Sequence, residues 1–329
     1  MRVLVTGGAG FVGSHFVKRL VAAGDDVSVL DKLTYSGNPA NLDGVAHAFH
    51  RGDICDAEAV AAAAEGCDAI VNFAAETHVD RSILGAAEFI ETDVLGTYVL
   101  LEWAREHGKR LVHVSTDEVY GDVASPHRCS EDDPLRPSSP YAASKAGGDL
   151  QVLAAVRTHG VDACITRGAN TYGSNQYPEK LVSLFVTNAL DGLPLPVYGD
   201  GRQVREWLHV SDHCAAIERV LREGVAGEAY NIGGEERENL DIIRRIVEET
   251  GCDPALVRHV ADRPGHDRRY ATDDSKLRAL GWPPTVRLDE GLAETIAWYR
   301  SNRAWWEPIK SGEYRAYYEE QYAARLAGE

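Results

Sequence analysis

The chain has 329 residues, a formal net charge of -17 at pH 7 and a hydrophobic fraction of 44%. Its length allows one large core or two joined ones, and its composition is that of a globular protein. The acidic charge argues against binding to a nucleic-acid backbone, which requires a basic face, although a local cluster of Arg and Lys could still bind an anionic ligand.

The six cysteines are scattered and form no C-x-x-C pair. This distribution favours reduced thiols in a cytoplasmic protein over a disulfide framework or a metal site. The sequence begins without the features of a signal peptide and contains no apolar run long enough to span a bilayer. We therefore expect a cytoplasmic location and no metal, membrane or nucleic-acid partner.

The first predicted strand, residues 2–6, leads directly into a glycine-rich loop at residues 7–13. Apolar side chains then recur at helical spacing until Gly24. A glycine loop between a strand and a helix lets the backbone approach a pyrophosphate, whose charge the helix N-terminus stabilises. The alternative is a tight turn without a ligand, which the flanking strand and helix disfavour.

A second predicted strand, residues 25–31, ends in Asp31, 18 residues after Gly13. At this position a carboxylate accepts hydrogen bonds from the adenosine ribose hydroxyls of a dinucleotide. The same carboxylate would repel a 2′-phosphate, so NAD is favoured over NADP. The alternative is a solvated acid in a loop.

Alternating strands and helices continue along the chain. Strands are predicted near 45–50, at 69–73 and at 110–114, with helices at 57–65 and 86–107. This alternation is typical of a doubly wound parallel sheet of the Rossmann type. At the strand ends, Asp53 and Ile54 could flank an adenine, and the small Ala74 and Ala75 would let a cofactor lie against the backbone.

The segment Ser115-Thr116-Asp117-Glu118-Val119-Tyr120-Gly121 follows the strand at 110–114. Ligands bind at the carboxyl ends of strands in open α/β sheets, so this segment is placed for chemistry. Adjacent acids also occur at helix N-termini, where they stabilise the helix dipole. Which interpretation holds depends on what the rest of the chain places beside them.

Tyr141 and Lys145 lie four residues apart at the start of another predicted helix, after a polar loop at 125–140. They share one helix face, and an ammonium close to a phenol lowers the phenol pKa, so that tyrosine can act as a base. The alternative is an ordinary surface pair. Further helices are predicted near 179–190, 211–223 and 240–250.

The glycine loop and the Tyr141–Lys145 pair resemble the extended short-chain dehydrogenase/reductase family. A finer resemblance is to the dTDP-glucose 4,6-dehydratases, and it covers essentially the whole chain. It rests on blocks at 31–35, 74–82, 115–121, 139–145, 177–181, 198–201, 205–207, 262–267 and 302–306. The Asp117-Glu118 pair is the specific element, because sugar-nucleotide epimerases of this fold lack it.

The resemblance implies a reaction in three stages. NAD takes hydride from carbon 4 of the sugar while Tyr141, held with Lys145, takes the hydroxyl proton and Thr116 hydrogen-bonds the same oxygen. Glu118 then removes the proton on carbon 5, and Asp117 protonates the carbon 6 hydroxyl as it leaves. The hydride finally returns to carbon 6. Elimination needs one proton taken and one given, which suits two carboxyl groups in different protonation states.

The resemblance also implies two sets of binding residues. The NAD-binding set is Gly7, Gly10, Phe11, Val12, Gly13, Asp31, Lys32, Leu33, Thr34, Asp53, Ile54, Ala74, Ala75, Thr92, Tyr141, Lys145 and Thr171. The substrate-binding set is Thr77, Thr116, Asn170, Lys180, Leu181, Pro196, Tyr198, Arg205, Asn231, Arg263 and His266. Among these, Arg205, Arg263 and Lys180 form a cationic cluster suited to a diphosphate.

The chain departs from the family pattern at three places. Thr77 replaces the usual Ser and keeps its hydroxyl, Thr171 replaces an Asn near the nicotinamide, and Gly168-Ala169 stand where Cys-Ser is usual. The change at Thr171 could alter cofactor affinity or the orientation of the nicotinamide. None of the changes removes a catalytic group.

We expect an NAD-binding domain at residues 1–167 and mainly a substrate-binding lobe at 168–329, which could return a strand to the first sheet. The resemblance implies a homodimer formed through the helices near 86–107 and 141–158. Three alternatives remain open: a 4-epimerase, a decarboxylase of a nucleotide-glucuronate, and an NAD-binding protein without turnover. The sequence leaves open whether the nucleotide is dTDP or UDP.

Overall fold

The computed structural model describes residues 1–327. Twelve strands are described within this range: β1 Arg2–Thr6, β2 Asp26–Asp31, β3 Ala48–Arg51, β4 Ala69–Asn72, β5 Arg110–Thr116, β6 Ala163–Gly168, β7 Asn170–Tyr172, β8 Leu195–Tyr198, β9 Val204–His209, β10 Ala229–Ile232, β11 Glu235–Glu238 and β12 Val257–Val260. None of the helices in this part of the chain combines the length and apolar character needed to cross a membrane.

The helices of the first half are α1 Phe11–Ala22, α2 Ala57–Ala63, α3 Val79–Leu84, α4 Ala87–Ile90, α5 Thr97–His107 and α6 Pro140–His159. Those of the second half are α7 Leu181–Asp191, α8 Val210–Glu223, α9 Asn239–Thr250, α10 Ser275–Ala279, α11 Leu288–Ser301, α12 Arg303–Trp306 and α13 Glu313–Ala327.

The central sheet is parallel and has seven strands in the order β3-β2-β1-β4-β5-β6-β10. The order reverses between β1 and β4, which creates the crevice in which ligands bind in open α/β folds. Helices cover both faces: α1 and α8 pack on one, while α2, α5 and α6 pack on the other. The predicted doubly wound parallel sheet is confirmed.

Helix α1 shows how the local sequence produces the first βα unit. Its buried side chains Phe16, Val17 and Leu20 lie on one face at helical spacing and pack on β1 and β2. Full burial of Phe16 or Leu20 contributes about 1.5–3 kcal/mol each. The helix ends before Gly24, whose φ of +86° is disfavoured for other residues.

The second lobe contains a three-stranded sheet in the order β11-β9-β7 and the pair β12-β8. Its core gathers aromatic side chains from α11, α12 and α13, and the largest of them, Trp306, is fully buried. The chain returns to the first lobe through α8 and β10, which pairs with β6. The proposed domain boundary at residue 167 remains a prediction, and residues 229–232 belong to the N-terminal sheet.

Two predicted elements differ from the structure. The helix expected at 86–107 is interrupted by a π-helical segment at Glu91–Gly96, where Thr97 Oγ1 donates a hydrogen bond to the Asp93 carbonyl. The strand expected at 110–114 continues to Thr116, because Ser115 and Thr116 pair with Arg167 and Gly168 of β6. The longer strand arises from pairing with its neighbour β6, which apolar spacing does not record.

Candidate active site

A cavity of about 330 Å³ opens at the carboxyl ends of the central strands, between the two lobes. It is lined by every residue of the expected NAD-binding set except Leu33. A second cavity of about 150 Å³ adjoins it in the C-terminal lobe. Glu118, Asn170, Lys180 and Leu181 line both cavities, so the two form one continuous site.

The glycine loop has the shape required to hold a pyrophosphate. Gly7 adopts a φ of +65°, and a Cβ at Gly13 would lie only 2.3 Å from the Gly7 carbonyl oxygen. Gly10 caps α1 without a side-chain hydrogen bond, and the first turn contains no acid. The backbone N–H groups of α1 are therefore free to bind an anion, and the loop fits NAD.

Asp31 is fixed at the end of β2 by the backbone. Its Oδ2 accepts a hydrogen bond from Ala9 N at 2.9 Å, and its Oδ1 accepts one from Leu33 N at 2.8 Å. Burial nevertheless raises the pKa of Asp31 above its ordinary value. Lys32 and Asp53 form an ion pair at 2.7 Å, which joins the two segments expected around adenosine.

Leu33 corrects the expected NAD-binding set. Its side chain packs against the hydrophobic core instead of lining the cavity. The residue adopts a φ of +57°, and this turn presents its N–H to Asp31. Leu33 therefore supports the cofactor site through its backbone.

Substituting Gly13 with alanine should weaken NAD binding by at least about tenfold, because one strained contact in the loop easily exceeds 1.4 kcal/mol. The added Cβ would collide with the Gly7 carbonyl, which must move for the substitution to be accommodated. Calorimetric titration with NAD measures the change. Gly85→Ala is the control, since its Cβ would enter open space and, as at Gly13, the backbone φ is not positive. Equal affinity of Gly13→Ala and wild type would contradict the assigned loop.

Thr116 and Asp117 are held together where β5 enters a single turn of 3-10 helix, Asp117–Tyr120. Thr116 Oγ1 donates to Asp117 Oδ1 at 3.2 Å and accepts from Glu118 N at 3.2 Å. Asp117 is buried, and its Oδ2 has no hydrogen-bond partner among the described residues. Burial, with the charges of Glu118 and Glu206, raises the pKa of Asp117 well above its ordinary value.

Asp117 and Glu118 therefore differ in environment. Glu118 is half-buried and lines both cavities, where Lys180 and Arg263 are its cationic neighbours. The surroundings of Asp117 favour its protonated form, which suits it to donate a proton. An elimination requires one group that donates a proton and one that accepts a proton, and the two environments suit Asp117 and Glu118 to these roles.

Tyr141 and Lys145 are both buried on the first turns of α6, which Ser139 caps by accepting from Ala142 N. Lys145 Nζ donates to the Val114 carbonyl at 2.8 Å, which ties the helix to β5. The Thr116 side chain is a neighbour of the Tyr141 phenol that acts to lower the phenol pKa. Thr116, Tyr141 and Lys145 thus line the same cavity.

The predicted lowering of the Tyr141 pKa by Lys145 is wrong for this structure. Burial raises the pKa of Tyr141 well above its ordinary value, and the negative charges of Glu118 and Asp93 act in the same direction. The lysine makes its hydrogen bond to the backbone instead. Positive charge on a bound ligand would act against this rise and lower the pKa of the phenol.

The second cavity holds most of the expected substrate residues, namely Asn170, Lys180, Leu181, Pro196, Tyr198, Arg205, Arg263 and His266. Arg263 Nη1 binds Asp80 Oδ1 at 3.0 Å, while its Nε is buried without a partner among the described residues. Asn170 Oδ1 is also buried without a hydrogen-bond partner among the described residues. These polar atoms are available to a bound molecule. Two other residues of the expected substrate set, Thr77 and Thr116, line the first cavity instead.

Asn231 does not fit the expected substrate set. It is fully buried at the end of β10 and lines neither cavity. Its Oδ1 accepts from the Tyr120 hydroxyl at 2.8 Å, and its Nδ2 donates to the Cys129 carbonyl at 2.9 Å. These hydrogen bonds use both polar atoms of the Asn231 side chain. Asn231 therefore connects β10 to the segments that carry Tyr120 and Cys129, behind the site.

The sequence analysis missed two acids in or beside the site, Glu76 and Asp93. Glu76 lines the first cavity, where burial and the nearby Glu88 raise its pKa to about 7. Asp93, in the π-helical segment, accepts from Ser144 Oγ at 2.5 Å and has a pKa raised to about 6 by burial. Lys145 is its cationic neighbour. Glu76 was visible in the segment 74–82, but nothing in the sequence pointed to Asp93.

The fold and the Thr–Tyr–Lys cluster define an enzyme of the short-chain dehydrogenase/reductase class. The family model described as GDP-mannose 4,6 dehydratase matches residues 4–295. A dTDP-glucose 4,6-dehydratase from Streptomyces niveus is 55% identical over 324 residues, which is 94% of this chain and 96% of that protein. A dTDP-glucose 4,6-dehydratase 1 from Escherichia coli K12 is 45% identical over 99% of this chain and 100% of its own.

A crystal structure of DesIV, a dTDP-glucose 4,6-dehydratase from Streptomyces venezuelae with NAD bound, superposes with a TM-score of 0.91. It is 55% identical and covers 94% of this chain and 100% of its own. The chain belongs to the dTDP-glucose 4,6-dehydratase family.

Proposed function

We propose that the protein converts dTDP-glucose to dTDP-4-keto-6-deoxyglucose. The observation that carries this proposal is the buried Asp117, whose pKa is raised by burial, beside the half-buried Glu118 and hydrogen-bonded to Thr116 of the Thr116–Tyr141–Lys145 cluster. NAD, when bound in the glycine loop, supplies the oxidant at carbon 4 and the reductant at carbon 6. The chain supplies the proton transfers.

Each proton has a donor or acceptor at the site. Tyr141 receives the proton of the carbon 4 hydroxyl, with Thr116 as the hydrogen-bonding partner at the same oxygen and Lys145 fixing the helix behind them. Glu118 takes the proton from carbon 5, and Asp117 donates a proton to the departing carbon 6 hydroxyl. Since burial raises the pKa of Asp117, this carboxyl group keeps its proton to a higher pH than an ordinary Asp and loses it as the pH rises further.

The second cavity supports a nucleoside diphosphate as the carrier of the sugar. Lys180 and Arg263 supply positive charge on an otherwise acidic protein, and Tyr198 offers an aromatic ring. Apolar side chains complete the wall: Leu184, Phe185, Pro196, Val197 and Ile243. An apolar wall favours a base that carries a methyl group, so we propose dTDP over UDP.

A 4-epimerase or a decarboxylase of the same fold is not favoured. Neither reaction releases water, so neither gives a role to Asp117 as a proton donor. Incubation with dTDP-glucose and mass spectrometry of the product tests the assignment. We expect a product lighter by one water. An epimerised sugar of unchanged mass, or loss of carbon dioxide from a nucleotide-glucuronate, would contradict it.

We also propose that the protein is a cytoplasmic homodimer. Large apolar side chains are exposed on α3 to α6 and on the π-helical segment between α4 and α5: Leu84, Ile90, Leu95, Tyr98 and Leu150. Together they form an apolar face on the helices through which the family resemblance predicts dimer formation. No residue of this face lines either cavity.

Charge on this face should separate the subunits. The double substitution Leu95→Asp and Leu150→Asp is expected to lower the mass in light scattering from about twice 35.9 kDa to 35.9 kDa, because two carboxylates cannot be buried unpaired in an apolar interface. Leu193→Asp, exposed on another surface, is the control. Wild-type protein that already has the monomer mass would contradict the proposal.

A further inference from the structure

Glu118 lies at one end of a short row of oxygen atoms. The hydroxyl of Tyr270 is 3.5 Å from Glu118 Oε2 and donates a hydrogen bond to Asp267 Oδ2 at 2.8 Å. Tyr270 is 3% exposed and Asp267 is 8% exposed. The row therefore begins at the half-buried expected base and ends at Asp267, which is buried but somewhat more exposed than the phenol between the two carboxyl groups.

Arg205 and β9 hold this row in place. The guanidinium of Arg205 lies 4.1 Å from the centroid of the Tyr270 ring, and its Nη2 donates to the Asp267 carbonyl at 2.9 Å. Tyr270 N donates to the Val204 carbonyl at 3.2 Å. These contacts give Arg205 a structural role beyond the substrate contact expected from the sequence, and they fix Tyr270 between the two carboxyl groups.

The phenol of Tyr270 keeps its proton in this environment. Burial raises the pKa of Tyr270 well above its ordinary value, and the charge of Glu118 adds to the rise, while Arg205 opposes it. A stable phenolate is therefore excluded near neutral pH. A proton can still pass along the row if Tyr270 accepts one proton while it gives up another.

The proposed reaction includes a stage at which this row of oxygen atoms could exchange the proton held by Glu118. When Glu118 removes the proton from carbon 5, it holds that proton until a proton is needed again at carbon 5, as hydride arrives at carbon 6. With substrate in the cavity, Glu118 has to return the same proton unless another group exchanges it. The Tyr270 hydroxyl is the polar neighbour that contacts Glu118 Oε2.

We propose that Tyr270 and Asp267 form a proton relay that connects Glu118 with solvent during turnover. This inference rests on the proposed function. Protonated Glu118 gives its proton to the Tyr270 oxygen, the Tyr270 proton passes to the Asp267 carboxylate, and Asp267 exchanges it with water. One O–H bond forms as each one breaks, so Tyr270 stays neutral. A solvent proton returns to carbon 5 by the reverse path.

The test is turnover of dTDP-glucose in deuterated water, with NMR of the product at carbon 5. Wild-type protein should place deuterium at carbon 5. Tyr270→Phe and Asp267→Asn should lower the deuterated fraction at least about threefold while turnover stays within about tenfold of wild type, because Glu118 still takes and returns its own proton. Tyr172→Phe is the matched control, since Tyr172 is buried away from both cavities.

The outcomes separate the relay from the function on which it rests. A wild-type product that loses no water contradicts the proposed function itself. A wild-type product that loses water but carries no deuterium at carbon 5 overturns the relay. So do folded Tyr270→Phe and Asp267→Asn proteins that deuterate carbon 5 as fully as wild type. Folded but inactive variants also overturn it, because exchange is not needed to form product.

Discussion

Replacing Glu118 with glutamine should lower the overall rate by about 10²–10⁴-fold, the range that general acid-base catalysis contributes. Glutamine keeps the shape of Glu118 but cannot accept the proton from carbon 5. The thermal stability should change little, because Glu118 is half-buried and lines the cavities. Steady-state assays of water loss measure the effect, and Glu248→Gln, on an exposed side chain of α9, is the matched control.

The Glu118 variant should also show where the reaction stops. Thr116, Tyr141 and Lys145 remain in place, so oxidation at carbon 4 should still occur and a 4-keto sugar should accumulate on the protein with its carbon 6 hydroxyl retained. Rapid quenching and mass spectrometry would detect it. A Glu118→Gln protein that releases the dehydrated product at the wild-type rate would exclude Glu118 as the base.

Replacing Tyr141 with phenylalanine should stop the reaction one stage earlier. The loss of the phenol removes the acceptor for the carbon 4 hydroxyl proton, so we expect a fall of about 10²–10⁴-fold in overall rate with no 4-keto sugar formed. Single-turnover assays that follow oxidation at carbon 4 distinguish this variant from Glu118→Gln. The NAD affinity should change by less than about tenfold, because the glycine loop and Asp31 are untouched.

Tyr172→Phe removes a phenol from the second lobe and leaves both cavities unchanged, which makes it the control for Tyr141→Phe. A Tyr141→Phe protein that oxidises carbon 4 at the wild-type rate would show that another group takes the proton. Glu76, which lines the same cavity and has a pKa raised to about 7, would then be the first candidate.

The parts of the site that could be predicted from the sequence are those that adjacent residues determine. A glycine loop between a strand and a helix, an acid at the next strand end and the Tyr141–Lys145 spacing are local patterns with one structural outcome. The structure places the loop, Asp31 and the pair around one cavity. The assigned roles of these residues remain predictions until the substitutions above are measured.

What could not be predicted depends on burial by distant segments. The direction of the Tyr141 pKa follows from desolvation and from Asp93, which lies 48 residues earlier in the sequence. Asn231 was assigned to the substrate, but Tyr120 and Cys129 use its polar atoms. The contact of Tyr270 with Glu118 joins residues 152 positions apart. Charge environments and side-chain partners of this kind require the tertiary structure.

The central claim is that one site oxidises carbon 4, eliminates water and reduces carbon 6 within a single turnover. Incubation with dTDP-glucose carrying deuterium at carbon 4, followed by NMR of the product, tests it most directly. We predict that the deuterium moves to carbon 6 of the same sugar, which has lost one water. Deuterium that stays at carbon 4, or that is released from the sugar, would contradict this account.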